Sequence, residues 1–309
     1  MADTALVAID WGTTSARAYR LAVDGTVQER RGVPLGVKHV RDGHFEPALA
    51  KLLGDWIEID APRIACGMIG SRQGWIEAPY VECPASLAAL ADRVVRTPDD
   101  GLTIVPGVTT RDAAGIPDVM RGEETQLLGA VASDEGSVLA VLPGTHSKWA
   151  RVEHGRIVDF TTFMTGELYG ILIDHSMLGR IAGHEPGRFS RDAFSRGAAR
   201  GLRAGELAHD LFGARTLALS GELASDEVGD WLSGLLIGRE VRGARAWALR
   251  VGVETSNARI IGADALVERY ALAMSDAGML TERGRDDAAA RGLWRIAGRV
   301  GVVGVTPTS

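Results

Sequence analysis

Cysteine is scarce in this 309-residue chain, which contains only Cys66 and Cys83. Two cysteines cannot form a disulfide framework or a cysteine-rich zinc site. The chain also lacks any apolar run close to the roughly 20 residues that span a bilayer. Its first residues, MADTALVAID, lack the basic segment of a signal peptide. We therefore expect a cytoplasmic protein that does not enter a membrane.

Positive charge is in the minority, and almost all of it is arginine. There are 34 Lys and Arg residues against 40 Asp and Glu, a formal net charge of −6, and the only lysines are Lys38, Lys51 and Lys148. A mildly acidic chain is a poor electrostatic partner for nucleic acid or anionic lipid, so neither is an expected partner. Apolar residues (46%) and charged residues (24%) occur at proportions typical of globular domains. This length suits one large domain or two medium ones.

Several common catalytic motifs are absent. The chain has no Walker A pattern, no HExxH, no GxSxG and no GxGxxG after a strand. These absences leave P-loop enzymes, zinc proteases, serine hydrolases and Rossmann dehydrogenases without sequence support.

Apolar periodicity and turn residues predict an α/β chain of two similar halves. A strand–Gly–Thr–strand unit begins near residue 5 and again near residue 138, with a boundary near residue 136. The predicted domains are therefore 1–136 and 137–309. The predicted strands are 4–10, 17–23, 26–32, 63–70, 102–108, 137–144, 149–155, 156–165, 217–221 and a short one near 258. The predicted helices are 46–60, 85–95, 122–133, most of 166–213, 227–247, a segment ending near 274, and 285–300.

A glycine-threonine turn follows the first predicted strand. Gly12 lets a ligand approach the backbone, Thr13 and Thr14 offer hydroxyl and N–H groups to an anion, and Asp10 can hold a hydrated Mg²⁺. The alternative is an ordinary hairpin turn, in which Gly and Thr are common.

A second turn of this kind follows the strand that starts the second half. Gly144 and Thr145 repeat the pattern, and His146 and Lys148 add groups that can contact phosphate. Two such turns can clamp the phosphates of a nucleotide. The alternative is a solvated hairpin with an unremarkable lysine and histidine.

These motifs, in this order, resemble those of the actin/hexokinase/sugar-kinase superfamily, and of its branch with the glycerol and xylulose kinases. DWGTTSAR resembles the first phosphate motif and LPGTHSKW the second. GMIGSRQG resembles the sugar-contacting loop, GEETQLLG the start of the catalytic helix, ARIIGADALVERYALAM the adenosine motif, and AAARGLWRIAG the closing helix.

The chain is most similar to the 2-dehydro-3-deoxygalactonokinase family, from residue 5 to about residue 300. The motifs that carry this narrower resemblance are DWGTTSARAYR, GMIGSRQGW-(x)4-Y-(x)2-CP, PDVMRGEETQ, LPGTHSKW, FMTGELY and SGLLIGREV. It implies two actin-like (ribonuclease H-like) domains with a nucleotide cleft between them. It also implies ATP and Mg²⁺ as cofactors, and phosphorylation of the 6-hydroxyl of 2-dehydro-3-deoxy-D-galactonate in galactonate catabolism.

The catalytic base is the main departure from the related kinases. Where glycerol and xylulose kinases have Gly-Asp, this chain has Gly122-Glu123. Glu123 can accept the proton of the attacking hydroxyl. Its neighbour Glu124 and the upstream Asp118 are the other candidates. The alternative for both glutamates is that they only stabilise a helix N-terminus.

The resemblance also implies the remaining binding residues. Arg72 can pair with a sugar-acid carboxylate, and Trp75 can form a pocket wall, although a surface arginine and a core tryptophan are equally reasonable alternatives. Gly262 and Ala263 would let adenine lie against the backbone. The substrate-binding candidates are Arg17, Gly70, Ser71, Arg72, Gln73, Trp75, Thr165 and Glu167.

Three other functions stay open from the sequence. One is a kinase of another sugar or sugar acid, such as the gluconate epimer. The others are a non-catalytic sugar sensor and a nucleotide-switched assembly protein on the same fold. The sequence also leaves the oligomeric state open, with a homodimer as one alternative.

Overall fold

The computed structural model describes residues 4–97, 101–182 and 188–303. Its strands are β1 (Leu6–Trp11), β2 (Ala16–Leu21), β3 (Val27–Val33), β4 (Arg63–Gly67), β5 (Tyr80–Glu82), β6 (Ala85–Ser86), β7 (Val95–Arg96), β8 (Thr103–Ile104), β9 (Gly107–Arg111), β10 (Pro117–Met120), β11 (Ser137–Leu142), β12 (Ser147–Glu153), β13 (Arg156–Phe163), β14 (Asn257–Ile260) and β15 (Leu280–Arg283). Its α-helices are α1 (Phe45–Leu53), α2 (Leu87–Ala91), α3 (Glu123–Ala130), α4 (Thr165–His175), α5 (Met177–Ala182), α6 (Arg191–Leu202), α7 (Leu207–Ser220), α8 (Val228–Arg250), α9 (Asp264–Asp276) and α10 (Ala288–Val300).

The chain forms two compact units, neither of which is continuous in sequence. Unit 1 comprises the described residues of Met1–Ser137, Val152–Phe160 and Arg285–Ser309, and unit 2 those of Val138–Arg151 and Thr161–Gly284. These units differ from the ranges 1–136 and 137–309 because parts of β12 and β13, and the whole of α10, belong to unit 1. As functional domains, the two ranges stay a prediction.

The main sheet of unit 1 has the strand order β3-β2-β1-β4-β8-β7. Strands β1, β2 and β3 form the expected antiparallel meander, and β4 lies parallel to β1 on its other side. Apolar side chains of β1 and α1 bury Trp11 and Trp56 in one core. The carboxyl ends of the parallel strands β1 and β4 therefore meet at one edge of this sheet.

Helices α3 and α10 of unit 1 cross at a short distance. A Cβ added to Gly129 would lie 1.9 Å from the carbonyl oxygen of Ala288, and one added to Gly292 would lie 1.9 Å from that of Thr125. Only glycine permits this backbone approach. The contact fixes the axis of α3, whose first residue is Glu123.

Unit 2 is built on strands in the order β15-β14-β11-β12-β13. Strands β11 and β14 are parallel, as are β14 and β15. The 23-residue helix α8 lies in the core with α6 and α9, and Trp149, Phe194 and Tyr270 are almost fully buried there. The predicted strand–turn–helix near residues 258–274 is present as β14 and α9.

Several predicted elements are wrong or shortened. The segment 217–221, predicted as a strand, is the end of helix α7 and its Gly221 cap. The helix predicted over 85–95 is only α2, flanked by the short strands β6 and β7. Short apolar runs do not separate strand from helix by periodicity alone, and tertiary pairing decides them. The strand predicted over 63–70 ends at Gly67, which has φ +94°, and continues as a 3₁₀ turn.

The helices of the described part of the chain also bear on membrane insertion. None of them combines the length and the apolar character that crossing a bilayer requires.

Candidate functional site

The turn after β1 presents its two threonines to solvent. The Gly12 N–H donates to the carbonyl of Ser15 at 2.9 Å, which closes the turn. Thr13 and Thr14 are exposed at its tip. The hydroxyls and amides predicted to bind phosphate are therefore accessible in unit 1.

A segment that the sequence did not single out supports this turn. The Val37 N–H donates to the carbonyl of Gly12 at 3.0 Å, and the Lys38 N–H donates to that of Thr13 at 3.2 Å. A Cβ on Gly36 would lie 2.3 Å from the Thr13 backbone, so only glycine fits there. Exposed Lys38 is thereby held next to the Gly-Thr turn that is predicted to bind phosphate. The only feature of the sequence that could have drawn attention to Lys38 is that the chain has just three lysines.

Asp10 lies between two cross-strand neighbours at this end of the sheet. Its register partners are Arg17 on β2 and Cys66 on β4, and the Cys66 Sγ is 4.0 Å from the Asp10 Oδ1. Loss of hydration raises the pKa of Asp10 to about 6, Arg17 opposes this, and Glu123 adds to it. Asp10, Arg17 and Glu123 are thus close enough to interact electrostatically.

Close backbone packing brings the start of α3 to the ends of β1 and β4. A Cβ on Gly67 would lie 2.6 Å from the Trp11 carbonyl oxygen, and one on Gly122 would lie 3.1 Å from the Gly67 Cα. Gly122 has φ +109°, a conformation that other residues rarely adopt. These two glycines let an acidic helix N-terminus reach the phosphate-turn edge of the sheet.

The two glutamates of α3 have different surroundings. Glu123 is half-buried, and its Oε2 accepts the Arg121 N–H at 3.0 Å. Glu124 is fully buried and accepts the Gly122 N–H at 2.6 Å and the Thr125 hydroxyl at 2.8 Å. Burial, with the neighbouring Glu123, raises the pKa of Glu124 to about 7. Glu123 is therefore the more accessible carboxylate. Glu124 is instead occupied by hydrogen bonds within the first turn of α3.

Asp118, the third candidate base, lies on β10 in the three-stranded sheet. Its Oδ1 accepts the Val119 N–H at 2.7 Å, and its carbonyl accepts the Thr109 hydroxyl at 2.9 Å. These contacts of Asp118 belong to its own hairpin and not to the Asp10 cluster.

The loop after β4 contains the predicted sugar-binding residues in contrasting settings. Arg72 and Gln73 are exposed, and the Arg72 side chain, 88% exposed, is 3.6 Å from the Glu77 carboxylate. Trp75 stacks on Phe45 with ring centroids 5.9 Å apart, so it also packs against the core. Arg72 is exposed enough to turn toward a ligand, and Trp75 is held in place.

Gly70 and Ser71 lie beside a buried arginine that the sequence did not suggest. A Cβ on Gly70 would lie 3.1 Å from the Nη1 of Arg121, whose guanidinium also packs over the Tyr80 ring at 4.3 Å. Arg121 donates from Nη2 to the Ala78 carbonyl at 2.8 Å. In the described part of the chain, its Nε and Nη1 and the buried Ser71 hydroxyl have no hydrogen-bond partner. This region thus holds polar groups that a ligand could satisfy.

The second turn, in unit 2, joins the start of α4. The Glu167 N–H donates to the Thr145 carbonyl at 3.0 Å, and the Glu167 carboxylate pairs with the His146 imidazole. A Cβ on Gly166 would lie 2.4 Å from the Gly144 carbonyl oxygen. Thr145 and His146 are exposed. Glu167, predicted on the sugar side, lies against this phosphate turn.

A buried polar network anchors the strand after the second turn. Glu240 accepts from the Trp149 Nε1 at 2.7 Å and from the Tyr270 hydroxyl at 2.8 Å. The Tyr270 and Ser147 hydroxyls are 2.7 Å apart, and Thr165 also bonds to Glu240. Burial raises the pKa of Glu240, and these hydrogen bonds lower it by a smaller amount. The network links β12, α4, α8 and α9, and no sequence pattern had indicated it.

Lys148 lies on β12, directly after the second turn. It is buried, 5% exposed, and its Nζ donates to the Thr162 hydroxyl at 2.8 Å. Its ammonium therefore lies inside unit 2 and not on the exposed tip of the turn.

The predicted adenosine turn lies next to the second phosphate turn. Gly262 and Ala263 are exposed between β14 and α9, and a Cβ on Gly262 would lie 3.5 Å from the Pro143 Cδ. Because β11 and β14 are parallel neighbours, their following turns share one edge of the sheet. Unit 2 thus brings together two of the predicted nucleotide-binding segments.

The described residues contain no group of three or more His, Cys, Asp or Glu side chains that could hold a metal ion. A single carboxylate such as Asp10 is nevertheless a sufficient protein ligand for Mg²⁺ when water and phosphate oxygens supply the rest.

The described residues have the α/β, actin-like fold that the sequence predicted. The activator of 2-hydroxyisocaproyl-CoA dehydratase from Clostridium difficile, solved with bound ADPNP, has a TM-score of 0.51 over 95% of both chains at 13% identity. That likeness supports the fold alone, and it confirms the α/β, two-part architecture expected from the sequence.

Much closer relatives identify the family. The family model described as 2-keto-3-deoxy-galactonokinase matches residues 10–296, and the chain belongs to this family. It is 36% identical over 292 residues to the 2-dehydro-3-deoxygalactonokinase of Escherichia coli K12, a match that covers 94% of this chain and 97% of the relative. A crystal structure from Sinorhizobium meliloti, provisionally assigned the same activity, has a TM-score of 0.84 at 36% identity, covering 94% of this chain and 98% of that one. The family expected from the motifs is confirmed.

Proposed function

We propose that this protein transfers a phosphoryl group from ATP to the 6-hydroxyl of 2-dehydro-3-deoxy-D-galactonate, a step in galactonate catabolism. The observation that carries the proposal is the 36% identity to the Escherichia coli enzyme of that name over nearly the full length of both chains. The exposed Gly-Thr turns and the acidic start of α3 supply the residue types that phosphoryl transfer requires.

Asp10 is the residue that we propose to orient Mg²⁺, through water. Its carboxyl suits this role because it lies at the sheet edge beside the exposed Thr13–Thr14 turn, within electrostatic reach of Glu123. With a pKa near 6, Asp10 is mostly ionised at neutral pH, and a bound cation would favour that form further. The metal would neutralise phosphate charge during transfer.

Glu123 is the proposed general base. It is half-buried, whereas Glu124 is fully enclosed by its own hydrogen bonds. The Arg121 N–H holds the Glu123 carboxylate in place, which suits a group that must accept a proton at one fixed position. Arg17, which pairs with Asp10 across β1 and β2, adds positive charge near the reacting groups.

In each unit, the Gly-Thr turn is proposed to bind phosphate, and in unit 2 the neighbouring segment is proposed to bind adenosine. Thr13 and Thr14 serve one turn, and Thr145 and His146 the other. Gly262 and Ala263 offer an exposed backbone on which adenine can lie. The Nζ of Lys148 donates to the Thr162 hydroxyl inside unit 2. We therefore propose that Lys148 does not contact phosphate directly and that it holds the second turn in position.

The sugar acid is proposed to bind at the loop after β4. Arg72 is the proposed partner of its carboxylate, because the side chain is exposed and its one described ion pair is long, at 3.6 Å. Gln73 and Ser71 offer polar contacts to hydroxyl groups, and Trp75 forms a rigid wall. A cytoplasmic location stays a prediction, as does any homodimer.

The site of phosphorylation can be tested by ³¹P NMR of the product made from Mg-ATP and 2-dehydro-3-deoxy-D-galactonate. Transfer to the 6-hydroxyl places phosphorus next to a CH₂ group, so the proton-coupled signal should be a triplet. A doublet would mean a secondary hydroxyl and would overturn the proposed regiochemistry. No product with this substrate, but product with its gluconate epimer, would assign the other sugar acid.

A further inference from the structure

A cavity lies entirely within unit 1 and shares no residue with the candidate site. Its volume is 660 Å³. That value is within the range of small-molecule sites, which span roughly 300–1,000 Å³. Its wall contains four arginines and a single carboxylate, that of Asp24. The arginines are Arg156, Arg291, Arg295 and Arg299.

Three of these arginines form a stripe along α10. Arg291, Arg295 and Arg299 are spaced by four residues, which places them on one helix face. Like charges at this spacing repel one another. Burial and the neighbouring Arg291 both lower the pKa of Arg295. The helix therefore carries a concentration of positive charge that its own sequence does not neutralise.

Backbone carbonyls use only part of this hydrogen-bonding capacity. The Arg291 Nε donates to the Gly129 carbonyl at 3.3 Å, and the Arg295 Nη1 donates to the carbonyls of Leu128 and Val131 at the end of α3. A guanidinium has five N–H donors, so several remain available on each side chain. These bonds fix two of the guanidiniums in position beside the cavity.

Two nearby carboxylates, those of Asp24 and Asp287, are engaged by other groups. Asp24 accepts the Thr26 N–H at 2.9 Å and the Thr26 hydroxyl at 2.7 Å. The carboxylate of Asp287, one turn before Arg291, accepts from the Arg285 Nε at 2.8 Å, and it interacts with the Arg291 guanidinium through charge alone. Across residues 4–97, 101–182 and 188–303, none of the four cavity arginines forms a salt bridge with a carboxylate.

A tryptophan supplies a flat apolar wall next to these charges. Trp294 lines the cavity, and its indole packs on the backbone of Gly25, where an added Cβ would lie 2.6 Å from the Nε1. Gly25 has φ +80°, so the turn that holds the indole also requires glycine. A ring can therefore pack beside the guanidiniums.

We propose that this cavity binds a small phosphorylated metabolite, a phosphate ester whose ring packs against Trp294. Guanidiniums bind phosphate oxygens in pairs, and a dianion offsets the repulsion along α10. Because Arg291 and Arg295 also hold the end of α3, the bound ester would tie α10 to the helix that begins at Glu123. The proposal does not depend on the proposed catalytic function.

Isothermal titration calorimetry of the full chain tests this site, with glucose 6-phosphate as the probe and inorganic phosphate and glucose as comparisons. The Arg156→Ala/Arg299→Ala double variant removes two exposed arginines of the wall. Arg250→Ala, at the exposed end of α8, is the control. We expect saturable binding of glucose 6-phosphate, tighter than that of inorganic phosphate, no binding of glucose, and affinity at least about tenfold weaker in the double variant only.

Tryptophan fluorescence locates the binding. Glucose 6-phosphate should change the emission of the wild-type chain, and Trp294→Phe should remove that change. No saturable binding of the ester, or equal affinity in the wild type and the double variant, would overturn the proposal. Equal affinities for the ester and inorganic phosphate would overturn the role of Trp294.

Discussion

Asp10, Glu123 and Glu124 are three carboxyl groups near one edge of unit 1, and they have different surroundings. Burial raises the pKa of Asp10 to about 6 and that of Glu124 to about 7, and Glu123 contributes to both shifts. Different environments let neighbouring carboxyl groups take different roles. We propose that Asp10 orients the metal, that Glu123 accepts the proton of the acceptor hydroxyl, and that Glu124 stabilises the start of α3.

Replacement of Glu123 tests the base. Glu123→Gln should lower turnover by about 10²–10⁴-fold, because the amide cannot accept the proton. Nucleotide affinity, measured by titration calorimetry, should stay near that of the wild type. Asp118→Asn is the control and should retain activity, since Asp118 lies on the β10 hairpin. Near-normal turnover of Glu123→Gln would contradict the assignment.

Glu124 should make stability depend on pH. Its pKa is higher when folded, about 7, than its ordinary value of 4.5, so the folded state holds a proton that the unfolded state releases. Stability should therefore fall as pH rises from about 4.5 to about 7, by up to about 3 kcal/mol. Glu124→Gln removes this loss.

Thermal unfolding from pH 5 to pH 8 measures this effect. The melting temperature of Glu124→Gln, relative to the wild type, should increase across that range. Glu46→Gln, which alters an exposed glutamate of α1, is the control and should follow the wild-type curve. Parallel curves for Glu124→Gln and the wild type would show that the Glu124 carboxyl has the same pKa in the folded and unfolded states, and would contradict the prediction.

Arg72 tests how the sugar acid is recognised. Arg72→Ala should raise the KM for the sugar acid by about tenfold or more, because a charge-assisted pair is lost, and should change the KM for ATP little. Arg93→Ala, another exposed arginine of unit 1, is the control. Equal effects on both KM values would remove the proposed role of Arg72.

At the scale of elements, the crossing of α3 and α10 positions Glu123. Gly129→Ala places a methyl group 1.9 Å from the Ala288 carbonyl oxygen, so the helices must separate. We expect a loss of about 1–3 kcal/mol in the free energy of unfolding, measured by urea denaturation, with reduced turnover. Gly136→Ala, where an added Cβ meets nothing within 4 Å, should be neutral. Equal stabilities of the two variants would contradict the proposed role of the crossing.

The sequence predicted the elements whose turns carry local signals. The β1–β3 meander and the His154-Gly155 hairpin follow from Gly and Asp at fixed positions. Segment 217–221 was predicted wrongly because its apolar run, only three residues long, has no clear period. The contacts of Gly67 with Trp11 and of Gly36 with Thr13 could not be predicted, since they join residues far apart in the chain.

The site could be predicted only in part for the same reason. Motif order indicated both Gly-Thr turns and the acidic start of α3, and the structure contains these elements; their role in phosphate binding stays a prediction. Burial, however, separates Glu124 from Glu123 and encloses Lys148, and no local pattern reports burial of single residues. Arg121 and the Glu240–Tyr270 network were not predicted because their hydrogen bonds join residues far apart in sequence. Arg121 and Ala78 are 43 residues apart, and Tyr270 and Glu240 are 30 residues apart.

At the scale of the whole molecule, each unit carries one Gly-Thr turn, and the family relationship extends over nearly the entire chain. The match covers residues 10–296, and the Escherichia coli relative is covered to 97% of its length. A sugar sensor or a nucleotide switch would bind ATP without rapid sugar-dependent turnover. Turnover therefore separates the proposed kinase from both alternatives.

The most direct measurement is coupled ADP release from Mg-ATP with a panel of acceptors. The panel contains 2-dehydro-3-deoxy-D-galactonate, its gluconate epimer, gluconate, xylulose, glycerol and no sugar. We predict rapid turnover with the galactonate derivative and only background release without an acceptor. Tight ATP binding with no acceptor-dependent release from any member would contradict the assignment of this chain as a sugar-acid kinase.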